Sequence, residues 1–371
     1  MSAPVVTVPA EMLPADGRFG SGPSRIRPAQ SQTLAALGTT VMGTSHRQPP
    51  VRHLVARIKE GLSQLFDLPS GYEVVLGNGG TTTFWDVATF ALIRHRSQHV
   101  EAGEFGAKFA AATAAAPFLD DPVVLRSEPG AVRSPEADER VDAYAWVQNE
   151  TSTGVVAPVQ RVDHDGALML VDATSAAGAV PVNIEAADVY YFAPQKSFAS
   201  DGGLWLALCS PAALDRADEL RNRWTPPSLS LVEAVANSRK DQTLNTPAIA
   251  TLILMAEQLD WLNERGGLSF AVERTRASAE HLYSWAEASS FATPFVSRAQ
   301  DRSPVIGTID FDPAVDAAAV AAVLRANGVV DVEPYRKLGR NQIRIGMYPA
   351  VDPADVAALT DCVDYVVARL G

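Results

Sequence analysis

Val189-Tyr190-Tyr191-Phe192-Ala193-Pro194-Gln195-Lys196 is the stretch on which the fold turns. Four consecutive apolar or aromatic residues, followed shortly by a proline that cannot donate to a sheet ladder, read as a short strand buried on both faces. The same pattern recurs around it. Val74 to Leu76, Ala143 to Val147, Leu168 to Val171 and Leu204 to Leu208 are near-continuous apolar runs, with alanine-rich helical stretches among them. Strands that are apolar on both faces and alternate with helices predict an α/β domain, its sheet largely parallel and covered on both sides, over about residues 70–265.

The flanks have other rhythms. Residues 1–30 carry Pro4, Pro9, Pro14, Pro23 and Pro28 with the run Gly20-Ser21-Gly22, which predicts an arm or loop. From Ser31 to Phe66 the apolar spacing of Leu54, Ile58, Leu62 and Leu65 predicts helix. Beyond residue 300, Val305 to Phe311 reads as a strand, and Asp312-Pro313 opens a helix that ends near Asn327-Gly328. Strands at Val329 to Val332 and Gln342 to Met347 follow, then a helix from Asp352-Pro353 with Val356, Leu359, Val363, Val366, Val367 and Leu370 on one stripe. The expected division is an N-terminal arm (1–30), a large domain (31–265) and a small α+β domain (266–371).

Composition narrows the function. The chain has 371 residues, 47% hydrophobic and 20% charged, enough for cores that need no staples. Cys209 and Cys362 lie far apart and outside any metal-ligand spacing, so no metal is expected and a reducing compartment suits them. No apolar run approaches the roughly 18 residues of a membrane span, and the start shows no secretory signal pattern, so the expected setting is cytoplasmic. A net charge of −12 would repel phosphodiester backbones, which argues against a nucleic-acid partner.

Three features carry chemistry. Gly77-Asn78-Gly79-Gly80-Thr81-Thr82-Thr83 follows a strand and opens a helix, so free amides and the positive helix end suit an anion. The loop is neither a dinucleotide fingerprint nor a Walker sequence, and a plain strand-to-helix turn would explain it equally well. Asp172 ends the strand Leu168 to Val171, at the carboxyl edge where α/β sheets place their ligands. Lys196 follows the strand Val189 to Phe192 at the same edge. A lone lysine is ordinarily a solvated surface charge. Here an amine, a carboxylate and an anion cup surround one cleft, as a pyridoxal 5'-phosphate site requires.

The runs Gly79-Gly80-Thr81, Asn149-Glu150-Thr151, Val171-Asp172, Ala193-Pro194-Gln195-Lys196 and Leu244-Asn245-Thr246-Pro247, in that order, resemble the phosphoserine aminotransferase family. This family belongs to the class V group of fold-type-I pyridoxal phosphate transferases. The likeness covers nearly the whole chain, including Gly22-Pro23 and Ser45-His46-Arg47. It implies one pyridoxal 5'-phosphate per subunit, held as a Schiff base on Lys196, with Gln195 at the phosphate and Gly80 and Thr81 forming the cup. Many relatives carry arginine where Thr81 stands, so the chain resembles a divergent, actinobacterial-like branch. Asp172 would pair with the ring nitrogen, Thr151 would bond near the ring oxygen, and Phe105 would stack on the ring. Asn245 and Thr246 would reach the phosphate of a neighbouring subunit's cofactor, which implies a homodimer with shared sites.

The same resemblance implies L-glutamate and 3-phosphohydroxypyruvate as substrates, in L-serine biosynthesis and in pyridoxine biosynthesis where a longer phosphorylated keto acid is accepted. Each substrate presents two anionic ends and needs two cationic grips, for which arginine forks are suited. Arg344 sits where relatives bind the substrate carboxylate, and His46 with Arg47 where they bind the distal anion. Of the neighbouring Arg336, Lys337 and Arg340, Lys337 reads as a solvated charge, and one of Arg336 and Arg340 is expected at the phosphate. A class V aminotransferase of the alanine–glyoxylate type is the alternative, a cysteine desulfurase lacks a thiol on a loop, and a non-catalytic anion-binding module is the reading from another class.

Overall fold

A computed structural model describes residues 6–370. Pro4, counted above as part of the arm, lies outside the described residues. The strands of the main sheet are β1 (Glu73–Asn78), β2 (Ser97–Glu101), β3 (Val123–Arg126), β4 (Ala143–Val147), β7 (Leu168–Asp172), β8 (Val189–Phe192) and β9 (Leu204–Cys209); a small hairpin, β5 (Asn149–Glu150) with β6 (Val155–Val156), leaves the end of β4. Their order is β1-β9-β8-β7-β4-β2-β3, and β9 alone runs against the rest.

Alternation along each strand explains the continuous apolar runs. On β7, Met169 and Val171 join the core on one face of the sheet, while Leu168 and Leu170 join the core on the other. Helices α2 (Pro49–Leu65) and α7 (Ile249–Glu264) close the first face through Ile58, Leu62, Leu252 and Leu259. Helices α3 (Thr81–Ala91), α5 (Pro211–Glu219) and α6 (Leu231–Ser238) close the second through Phe84, Val87, Ala213 and Val235, with Phe109 of α4 (Glu104–Ala114) beside them.

A second core lies among the antiparallel strands β10 (Ala292–Pro294), β11 (Ile306–Phe311) and β12 (Gln342–Gly346) and the helices α8 (Gly267–Ala288), α9 (Ala317–Ala326) and α10 (Pro353–Leu370). Val8 and Phe19, from the start of the chain, are buried in it.

Three expected elements differ. The helical stretch 31–66 is two helices, α1 (Pro28–Leu37) and α2, separated by turns around Gly43 (φ +77°) and restarted by Pro49 at the first helical position. Helix α9 starts at Ala317, not at Pro313: Asp316 accepts from the amides of Ala318 and Ala319, whereas Asp312 caps only a turn. Val329 to Val332 forms no sheet strand. Its backbone binds the arm instead, with Val330 N donating to Gly17 O at 2.8 Å and Phe19 N to Val330 O at 3.2 Å.

Candidate active site

The parallel strands β4, β7 and β8 end on a cavity of about 230 Å3 whose lining includes Gly80, Thr81, Phe105, Thr151, Asp172, Gln195 and Lys196. Seven residues expected at a cofactor are thus brought together from five separate stretches of chain. A larger cleft of about 600 Å3 lies at the opposite, amino edge of the sheet, but its arginines are already committed: Arg94 to Glu219, Arg161 to Asp188 and Arg216 to Asp142.

Asp172 is the last residue of β7, buried. One carboxylate oxygen accepts from the Thr174 amide at 2.9 Å and its hydroxyl at 2.6 Å, and the other from the Trp85 indole N–H at 3.1 Å. Burial pushes this carboxyl above its ordinary range, and the Thr174 and Trp85 bonds and the charge of Lys196 oppose that. A cationic ring nitrogen in the cavity would complete the ionised form.

Lys196 leaves β8 through Ala193 and Pro194, and its ammonium donates to the Ser21 carbonyl at 2.6 Å. Burial pushes the amine down to about 8, with Arg344 as the second cause; Asp172 and Glu150 pull the other way. An amine so placed is available as nucleophile and base near neutral pH.

The glycine loop leaves the start of α3 open. Gly80 is the N-cap of α3, no side chain caps that helix end, and a Cβ on Gly80 would meet nothing within 4 Å. The Thr81 hydroxyl lies 2.7 Å from that of Thr174. Gly79 has φ +104°, and a side chain there would run into Thr83.

Phe105 opens α4 beside the cavity. Its amide donates at 2.9 Å to Glu150, a fully buried carboxylate that also accepts from the Gly106 amide and from the amide and hydroxyl of Ser152. Glu150 therefore caps the helix that carries Phe105, and burial raises its carboxyl despite those bonds. Arg344 reaches the Thr151 carbonyl at 3.0 Å and lies over Tyr335.

Other expected cations lie elsewhere. Lys337 pairs with Glu104, and Arg340 with Asp310. Arg336 is exposed and does not line the cavity. His46, Arg47, Asn245 and Thr246 form a separate surface patch: His46 Nδ1 lies 3.2 Å from the Thr246 hydroxyl, and Arg47 donates to Gln242 at 2.9 Å. The Asn78 side chain, at the end of β1, joins this patch to the glycine loop by donating to the Thr246 carbonyl at 2.9 Å.

Pyridoxal phosphate can be tested against buried polar atoms that lack a partner among the described residues. These are Gln195 Oε1, Ser21 Oγ, Asn149 Oδ1 and Arg344 Nε, around or near the cavity, and no side-chain carboxylate blocks the anion cup. The residues fit the group. Trp85, Asn149, Thr174 and Ser175 also line the cavity, and the sequence reading assigned them no place in it. For Trp85 a signal existed: a tryptophan one turn into the helix opened by the glycine loop needs a partner for its N–H.

The sheet, the lysine and the buried aspartate at its carboxyl edge and the open helix end define a fold-type-I transferase that uses pyridoxal phosphate. The family model for aminotransferase class-V matches residues 24–359. The chain is 59% identical to the phosphoserine aminotransferase of Rhodococcus opacus over 373 residues, covering 100% of both chains. It is 62% identical to the phosphoserine aminotransferase of Nocardioides sp. over 368 residues, covering 98% of each. The crystal structure of a phosphoserine aminotransferase from Cytophaga hutchinsonii shares the fold, with a TM-score of 0.87 at 20% identity over 94% of this chain and 98% of that one. The chain belongs to the aminotransferase class-V family and is a pyridoxal phosphate-dependent transaminase.

Proposed function

We propose that this protein is a phosphoserine aminotransferase. It moves an amino group reversibly between L-glutamate and 3-phosphohydroxypyruvate, giving O-phospho-L-serine and 2-oxoglutarate, with pyridoxal 5'-phosphate anchored on Lys196. The observation that carries this reading is the identity of about 60% over essentially the whole chain to proteins of that name.

When bound, pyridoxal phosphate supplies an aldehyde that binds amines covalently and an electron-withdrawing ring that acidifies the neighbouring C–H. Asp172, fixed by Thr174 and Trp85, is the carboxylate that would hold a protonated ring nitrogen. Gly80, Thr81 and Gln195 would hold the phosphate, and Phe105 would pack against the ring. Lys196, the amine that would hold the cofactor, would serve as the base for the proton of the substrate α-carbon. Arg344 holds the α-carboxylate through its fork, for which its unpartnered Nε is available.

The exposed patch of His46, Arg47, Asn245 and Thr246 supports a homodimer in which each copy completes the other's site: these side chains sit beside the glycine loop, outside the cavity of their own chain. Among the described residues no helix is long and apolar enough to cross a membrane. A cytoplasmic setting suits the buried, unpaired Cys209 and Cys362. Burial pushes these thiols up to about 12 and about 11, which speaks against a desulfurase.

The visible absorbance spectrum tests the proposal. The purified protein is expected to be yellow, to be bleached by glutamate and to regain its colour with 3-phosphohydroxypyruvate but not with glyoxylate. Recovery with glyoxylate or pyruvate alone would replace the substrate assignment by the alanine–glyoxylate type. A protein that takes up no pyridoxal phosphate would refute the role of Lys196.

A further inference from the structure

One main-chain carbonyl is shared by the half-buried Lys196 and the buried Tyr348. Ser21 O accepts from Lys196 Nζ at 2.6 Å and from the Tyr348 hydroxyl at 2.8 Å. Tyr348 is fully buried, and burial raises its phenol, so the hydroxyl remains a donor across the working pH range.

The loop bearing this carbonyl is fitted to the lysine. Gly22 has φ +146°, and a Cβ on it would overlap Nζ and Cε of Lys196. The loop is tied down at both ends, where Gly346 N donates to Phe19 O at 2.7 Å and Ser24 N to Gln195 O at 2.8 Å. Between those ties, the Tyr348 hydroxyl is the side-chain contact that fixes the direction of the Ser21 carbonyl. The charged and titratable groups facing Lys196 are Asp172 on β7, Glu150 on β5, Arg344 on β12 and Tyr348 itself. Both carboxylates are occupied by other donors, Asp172 by Thr174 and Trp85 and Glu150 by Ser152 and the α4 amides. The carbonyl is thus the acceptor left for the ammonium.

We propose that Tyr348 is a positioning residue for Lys196, acting through the Ser21 carbonyl that both side chains share. The inference rests on Lys196 being the working amine. A lysine that alternately takes up and gives back a proton needs a fixed acceptor for its ammonium form, and Tyr348 holds that acceptor in place.

The test is the pH dependence of acetic anhydride labelling at Lys196 in cofactor-free protein, read by peptide mass spectrometry. The chain has five lysines, so Lys59, Lys108, Lys240 and Lys337 serve as internal references. Tyr348→Phe keeps the ring and removes the hydroxyl. It is expected to lower the labelling midpoint of Lys196 by about half a pH unit or more, equivalent to about a threefold faster reaction at pH 7, because the ammonium loses a fixed acceptor. In the holoenzyme, kcat is expected to fall about tenfold, with KM for both substrates within about twofold of wild type. An unchanged midpoint would overturn the proposal, and a fall in kcat without the shift would assign Tyr348 a merely structural role. Should Tyr348→Phe lose its melting transition, Gly22→Ala decides: its methyl displaces Lys196 from the carbonyl and must lower the same midpoint. Absence of aminotransfer in the wild type would refute the functional reading alone, since labelling uses neither cofactor nor substrate.

Discussion

Replacing Lys196 by methionine should make the cofactor-free protein more stable at neutral pH, and the size and pH dependence of the gain follow from burial. The amine falls from its ordinary 10.5 to about 8 in the folded chain. The unfolded chain therefore binds the proton more tightly, and folding at pH 7 carries a penalty of about 3 kcal/mol. That penalty is complete below about pH 8 and fades as pH rises to about 10.5, so wild-type stability climbs over this window while that of Lys196→Met does not. Methionine fills a similar volume and leaves Ser21 O bonded to Tyr348. The shift already contains the attraction of Asp172 and Glu150 for the amine, so the expected gain is the full penalty of about 3 kcal/mol. For a chain of this size that corresponds to a melting temperature about 4 °C higher at pH 7, measured by calorimetry on cofactor-free protein. A variant no more stable than wild type at pH 7, or a gain that persists undiminished at pH 10.5, would refute the reasoning.

Other outcomes follow from the same geometry. Trp85→Phe removes one N–H bond from a buried carboxylate and should weaken pyridoxal phosphate binding about tenfold, measured by equilibrium dialysis, with the fold unchanged by circular dichroism. Arg344→Lys keeps the charge but not the fork, so KM for both substrates should rise at least tenfold while kcat changes less, as steady-state kinetics would show. Glu150→Gln leaves the first amides of α4 without their anionic cap and should cost about 1–3 kcal/mol in urea unfolding, with a loss of cofactor affinity as Phe105 loosens.

The sheet was legible where both of its faces are buried, because β1, β4, β7, β8 and β9 each carry an unbroken apolar run. Strand β2 was not. Ser97, Gln98 and His99 look like a loop, yet all three are buried. His99 Nε2 lies 2.9 Å from the Ser97 hydroxyl and 3.0 Å from that of Thr113, and burial pushes the imidazole down to about 3, so the ring stays neutral. Such satisfaction depends on a helix fourteen residues away and leaves no periodic trace. The site divides in the same manner. Lys196, Asp172 and the glycine loop could be found because they stand at strand ends, where position along the chain implies position in space. Trp85 and Glu150 act through bonds to residues 87 and 45 positions away, and in sequence they resemble a core aromatic and an ordinary acidic residue.

The cations between positions 336 and 344 show what folding adds to a charge count. As sequence they are four candidates for one anionic substrate. In the structure Lys337 and Arg340 are half neutralised by Glu104 and Asp310, on the surface, where such pairs contribute little. Arg336 stands exposed. Arg344 alone of the four is drawn in, because β12 pairs with β11 in a register that sets Arg344 opposite Thr308, next to the hairpin carrying Glu150 and Thr151. The guanidinium gives up hydration to get there, which lowers its pKa, and it keeps Nε without a partner. A half-buried cation with an unspent, buried donor is costly unless an anion returns to it, and this binds the folding of the second core to the chemistry of the first.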